Sequence, residues 1–125
     1  MESNLKFTQS HEWILDNSDG TVTVGISDHA QQLLGDVVYV DLPAIGDDID
    51  AGDNFSLVES VKAASDVYAP VTGEILEVNE ELEDSPELIN EEPYQGGWIA
   101  KIKLSDPSCL DDLLSAEDYL ATIEE

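Results

Sequence analysis

Glu59-Ser60-Val61-Lys62-Ala63 decides how this chain is read, because Lys62 is one of only four basic residues set against 29 acids and stands among β-forming neighbours. Gly46 lies sixteen residues before it and Gly73 eleven after. Each glycine is followed by an acid and then an apolar strand start, Gly46-Asp47-Asp48-Ile49 and Gly73-Glu74-Ile75. This near-symmetric framing predicts two related half-sheets with Lys62 at the tip of the hairpin between them. A hairpin tip suits an attachment lysine, since the flanking strands fix its position while the ε-amine projects into solvent within reach of a modifying enzyme.

Working outward, short β-type runs separated by turn signals fall at 12–15, 21–26, 37–42, 55–61, 66–69, 73–78 and 98–104. Such spacing is the mark of an all-β sandwich or flattened barrel. Asp19-Gly20 predicts a tight hairpin turn, and Asp41-Leu42-Pro43 a strand end, because proline cannot donate to a ladder. In Trp98 to Leu104 the alternation puts Ile102 and Leu104 on one face and Lys101 and Lys103 on the other, where they read as solvent-facing strand residues. Three helical pieces interrupt the strands. Ser27 can cap a helix over 28–34 that Gly35 ends, while Ser108 and Ser115 each stand three residues before an acid, Asp111 and Asp118. The last piece carries Tyr119, Leu120 and Ile123 at helical spacing, to be buried against the sheet. Residues 79–97, with Pro86, Pro93 and Gly96-Gly97, read as loop.

Composition bounds the function. A chain of 125 residues suits one domain burying roughly two-thirds of its unfolded surface. With 42% hydrophobic residues it has no apolar run of membrane-spanning length, and the polar start Met1-Glu2-Ser3-Asn4 lacks a signal-peptide core, so a soluble, cytoplasmic protein is expected. Cys109 is the sole cysteine, which rules out an intrachain disulfide or a cysteine metal cluster and fits a reducing compartment. A net charge of −25 without a single arginine argues against nucleic acid and anionic membranes, whose phosphates need Lys and Arg, and points to basic patches on other proteins. Salt adaptation would produce the same balance.

The chemistry of an enzyme is missing. His11 and His29 are too few for a histidine zinc site and lack the H-E-x-x-H spacing. The acids from Asp47 to Asp53 miss the EF-hand pattern: counted from Asp48, glycine falls at the fifth position, where a ligand belongs. There is no glycine-rich phosphate loop. What remains is Lys62 and the stretch that follows it.

That stretch carries a resemblance. Glu59-Ser60-Val61-Lys62-Ala63, Ser65-Asp66, Ala69-Pro70-Val71-Thr72-Gly73-Glu74, then Pro86-Glu87-Leu88-Ile89-Asn90-Glu91, Pro93-Tyr94 and Gly97-Trp98 resemble the H proteins of the glycine cleavage system. Ser10-His11-Glu12-Trp13, Val24-Gly25-Ile26-Ser27-Asp28-His29-Ala30-Gln31 and Leu34-Gly35-Asp36-Val37-Val38 extend it from about Phe7 to the end. The resemblance implies a mostly β, lipoyl/biotinyl-type flattened barrel. This would be a sandwich of two antiparallel sheets with short helices, a C-terminal helical segment among them, and one domain over residues 1–125.

It also implies a carrier and not a catalyst. Lipoate would be joined by an amide to Lys62, with Glu59, Ser60, Val61 and Ala63 forming the hairpin that a lipoate ligase or octanoyl transferase recognises. The arm would visit three enzymes in turn: the pyridoxal-phosphate glycine decarboxylase (P protein), the tetrahydrofolate-dependent aminomethyltransferase (T protein) and the flavin dihydrolipoyl dehydrogenase (L protein). A shallow groove receiving the loaded arm would be formed by Ser10, Glu12, His29 and Asp66. The protein is expected to be a monomer.

Three rivals share parts of this reading. Biotin carriers have the same hairpin, but their lysine sits between methionines, whereas Val61 and Ala63 flank Lys62 and the only methionine is Met1. Lipoyl domains of 2-oxo acid dehydrogenases usually carry Asp-Lys-Ala, are shorter and are tethered by linkers. A holder that relays lipoyl groups to other carriers would use the same Lys62, and that alternative stays open at the level of sequence.

Overall fold

The computed structural model describes residues 5–8, 11–17, 19–94, 96–105 and 113–123. Its elements, in chain order, are β1 Leu5–Phe7, β2 Glu12–Asp16, β3 Thr21–Ile26, α1 Asp28–Leu34, β4 Val37–Asp41, β5 Asp48–Ile49, β6 Asn54–Ser60 and β7 Ala64–Tyr68. These are followed by β8 Gly73–Val78, α2 Glu81–Asp84, α3 Leu88–Glu91, β9 Ala100–Leu104, β10 Leu114–Ser115 and α4 Ala116–Ile123. Among the described residues a seven-stranded sheet runs β10-β1-β2-β3-β9-β8-β5 and a three-stranded sheet runs β4-β6-β7. Every pairing is antiparallel. The result is a flattened sandwich of two sheets and not a closed barrel.

Alternation along β2 shows how the sequence builds it. Ile14 faces the other sheet in the main core, with Val24, Val40, Val58, Val67, Ile75 and Ile102, while Trp13 faces outward into a second cluster with Leu5, Phe7 and Tyr119. Each such side chain, taken fully from water, contributes about 1.5–3 kcal/mol. Trp13 needs Gly25 across the ladder, since a Cβ there would lie 2.6 Å from the indole nitrogen. The indole N–H in turn donates to the Pro93 carbonyl at 2.7 Å, closing the loop over the sheet.

The strands at 21–26 and 73–78 and the helix at 28–34 fall where the residues place them. Ser27 caps α1 by accepting from the Ala30 N–H at 3.1 Å, and Gly35 ends it at φ 81°. Ser115 likewise accepts from the Asp118 N–H at the start of α4. Five expectations change. The two glycine-framed segments do not head separate half-sheets: they pair with each other in the large sheet, Ile49 opposite Gly73 and Asp48 opposite Glu74. The Lys62 hairpin arms run 54–60 and 64–68, so Val61 belongs to the turn, and the strand read at 98–104 begins at Ala100. β5 falls at the strand start read after Gly46, whereas β1 and β10 were not expected. The stretch 79–97 holds two one-turn helices, α2 and α3, seated by the buried Leu82 and Ile89. Ser108, Cys109 and Asp111 lie outside the described residues, as do the side chains of Leu120 and Ile123; Tyr119 is fully buried as expected.

Candidate functional site

Ser60 shapes the tip of the β6–β7 hairpin. Its N–H donates to the Ala63 carbonyl at 2.8 Å, and its hydroxyl accepts from the N–H groups of Ala63 and Lys62 at 3.1 and 3.2 Å. The hydroxyl also lies 3.0 Å from the Ala63 carbonyl, to which it can donate. This is the local side-chain turn that serine favours, and it leaves Val61, Lys62 and Ala63 exposed. The Val61 N–H donates to the Asp36 carbonyl at 3.0 Å, tying the tip to the link between α1 and β4. Among the described residues Lys62 forms no ion pair, whereas Lys101 meets Glu77 at 3.8 Å. An exposed, unpaired amine on a braced turn fits covalent acylation.

Beside the tip runs a groove of about 100 Å³ at the meeting of the two sheets under α1. Ala30, Leu33 and Leu34 of α1 form one wall, His11 and Glu12 another, and Val58, Ser65, Asp66 and Val67 of the Lys62 hairpin the third. The walls are mainly apolar, with acids at two sides. Glu12 is buried, 1% exposed, and its Oε1 accepts from the Thr8 hydroxyl at 2.7 Å. Asp66 is exposed and also borders a polar hollow with Asp41, Asn54 and Leu57 on the outer face of the small sheet.

Of the residues expected at a groove, Glu12 and Asp66 line the same cavity. His29 does not line it; its ring lies 4.9 Å, centroid to centroid, from that of His11, which does. Ser10 lies outside the described residues.

His11 was not expected as a wall residue. Its backbone adopts φ 74°, held by its N–H to the Thr8 carbonyl and by the Ser27 N–H to its own carbonyl at 2.8 Å. That conformation is uncommon for a side-chain-bearing residue. Nδ1 lies 2.7 Å from the Tyr119 hydroxyl, which lies 2.7 Å from Oγ of Ser27, the cap of α1. Burial, and secondarily the His29 ring, push the His11 imidazole below its ordinary range. Burial pushes the Tyr119 hydroxyl up, against the lowering effect of its bond to Ser27. The groove is thus lined by an imidazole that binds a proton less readily than usual together with the acids Glu12 and Asp66. The signal for His11 was its place next to Glu12.

No group of three or more His, Cys, Asp or Glu among the described residues could hold a metal, and no helix there is long and apolar enough to cross a membrane.

Comparison with known proteins agrees with this geometry. The profile of the family described as glycine cleavage H-protein matches residues 5–125. The glycine cleavage system H protein of Vibrio parahaemolyticus is 73% identical over 125 residues, covering 100% of this chain and 99% of that one. The protein of the same name from Vibrio cholerae is 71% identical at the same coverage. Among solved structures, the glycine cleavage system H protein of Mycobacterium marinum superposes with a TM-score of 0.90 at 35% identity, covering 100% of both chains. A profile match over nearly the whole length, relatives above 70% identity and a shared fold lead to one conclusion: this chain belongs to the glycine cleavage H-protein family.

Proposed function

We propose that the chain is the lipoyl-lysine carrier of the glycine cleavage system, with lipoate joined by an amide to Nζ of Lys62. The observation that carries this is Lys62 itself, exposed on a serine-braced hairpin tip beside a groove containing two carboxylates. The bound group supplies a disulfide that is reduced as it takes up the aminomethyl group of glycine and a dithiol that is later reoxidised. The protein's own residues present, shelter and dock it.

Glu59, Ser60, Val61 and Ala63 form the surface that a lipoate ligase or octanoyl transferase reads, Ser60 by fixing the turn and the exposed Val61 by offering an apolar contact. Glu12 and Asp66 hold the amine of the cargo as ammonium, and Ala30, Leu33 and Leu34 exclude water from it. Ser10 is assigned an arm-binding role by resemblance alone, and His29 backs the groove wall through His11. The partners are the pyridoxal-phosphate decarboxylase, the aminomethyltransferase and the dihydrolipoyl dehydrogenase of the system. The outer face of the small sheet, where Asp41, Leu57 and Asp66 stand side by side across three strands, offers carboxylates to basic docking faces. The carrier works as a single-domain monomer in the cytoplasm.

Lys62→Ala tests this. An exposed tip residue contributes within about 0.5 kcal/mol to stability, so the variant melts like the parent and supports no glycine decarboxylation. A large loss of stability, or retained turnover, would overturn the assignment.

A further inference from the structure

We infer that Asn90 is a positioning residue for Lys62, acting through the backbone of Gly35; this rests on Lys62 being the attachment site. Asn90 sits on α3, away from both the hairpin and the groove lining. Its side-chain amide donates to the Gly35 carbonyl at 2.8 Å and to Oε1 of Gln31 at 3.0 Å, and its oxygen accepts from the Val37 N–H at 2.8 Å. One amide thus satisfies backbone groups at the end of α1 and the start of β4, groups that a helix end leaves without partners. It fixes the link Gly35-Asp36 from both sides.

The Lys62 tip rests on that link. The Val61 N–H donates to the Asp36 carbonyl, and the lysine stem lies over Gly35. A Cβ built at Gly35 would stand 3.3 Å from Cε, 3.5 Å from Cδ and 3.7 Å from Nζ of Lys62. Gly35 adopts φ 81° and ψ −156°, a conformation almost confined to glycine, so the bare backbone forms a seat and the lysine fills the space a side chain would take. A seated lysine samples fewer rotamers than one in open solvent. The arm therefore leaves the protein from a defined point at the C-terminal end of α1, the helix that walls the groove. Without Asn90 the link loosens and that starting point spreads.

The test uses the unmodified, isotope-labelled chain, so it does not depend on a loaded arm. Nuclear Overhauser cross-peaks between Gly35 Hα and the Lys62 ε-methylene, and relaxation of Lys62 Cε, report the seat. Asn90→Ala should weaken the cross-peaks at least about threefold and make Lys62 Cε as mobile as that of the exposed Lys103, on the fast timescale of free side chains. Signals of Ile75 and Ile102 should stay in place. Asn90→Asp, which keeps an acceptor for Val37 but has no donor for Gly35, should behave the same way. Gly35→Ala keeps the Asn90 carbonyl and amide contacts in reach but occupies the seat, and should also free the lysine. Full cross-peak intensity in folded Asn90→Ala or Asn90→Asp, or a Lys62 already as mobile as Lys103 in the parent, would overturn the inference. Finding lipoate on another lysine would instead overturn the attachment reading and leave this measurement standing.

Discussion

The hydroxyl of Tyr119 lies 2.7 Å from Nδ1 of His11, joining the C-terminal helix to the wall of the groove across 108 residues of chain. The same hydroxyl reaches the cap of α1, and the Tyr119 ring stacks on Phe7 at 4.5 Å. The wall is thus held from behind by a buried cluster, and the groove does not depend on its surface residues alone.

One consequence is a pH-dependent share of stability at His11. Its folded imidazole binds a proton less readily than an unfolded one, chiefly through burial and then through His29. The unfolded chain therefore takes up the proton first as pH falls. The contribution is complete above the ordinary imidazole value near ~6.5 and is lost as pH drops below it through the folded value. Chemical denaturation of parent and His11→Asn, which tolerates the positive φ, should show the parent losing more stability between pH 8 and mildly acidic pH. Parallel curves would mean that His11 titrates as in the unfolded chain.

Gly25→Ala should destabilise by about 1–3 kcal/mol, the usual cost of overpacking, because its methyl meets the Trp13 indole at 2.6 to 2.8 Å. The two remedies, moving the indole or the strand, both disturb the hydrogen bond to Pro93. Urea unfolding checks this, and an unchanged midpoint would show that the indole can relocate freely.

How much of this could be read from residues depends on how local the cause is. α1 was legible to the residue, because Ser27 and Gly35 carry their own signals for starting and stopping a helix. The Lys62 hairpin was legible because its two arms are adjacent in sequence. β1 and β10, of three and two residues, were not, since each is defined only by a partner strand. The role of Asn90 was hidden for the same reason: its partners lie 53 to 59 residues away. Glu12 and Asp66 were named from family resemblance, and their shared cavity comes from the packing of two sheets that no spacing rule reveals.

Docking should be steered by charge. Acylation of Lys62 removes one positive charge, taking the formal net charge from −25 to −26, and added salt screens attraction to basic partner faces over about 8 Å at physiological ionic strength. The apparent KM for the carrier should rise with salt in each partner assay, and more weakly for Asp41→Asn. A flat response would assign the acidity to solubility or salt adaptation.

Glu12→Gln and Asp66→Asn should leave lipoylation intact but shorten the life of the isolated, loaded carrier. The neutral amine of the cargo can expel the thiolate and lose its carbon as formaldehyde, whereas a carboxylate within about 4 to 6 Å keeps the amine protonated and its lone pair unavailable. Formaldehyde release without the transferase measures this. Decay as slow as in the parent would make both acids mere surface or packing groups.

Lys62 alone should carry the group, and a tryptic map after treatment with a lipoate ligase reads this out. The chain has no arginine, and its lysines stand at 6, 62, 101 and 103, so the unmodified protein yields peptides 7–62 and 63–101. Acylation of Lys62 blocks the cut between them, so the expected product is a single peptide 7–101 bearing one lipoyl group. A lipoyl group on Lys6, Lys101 or Lys103, with the cut after Lys62 still made, would overturn this assignment.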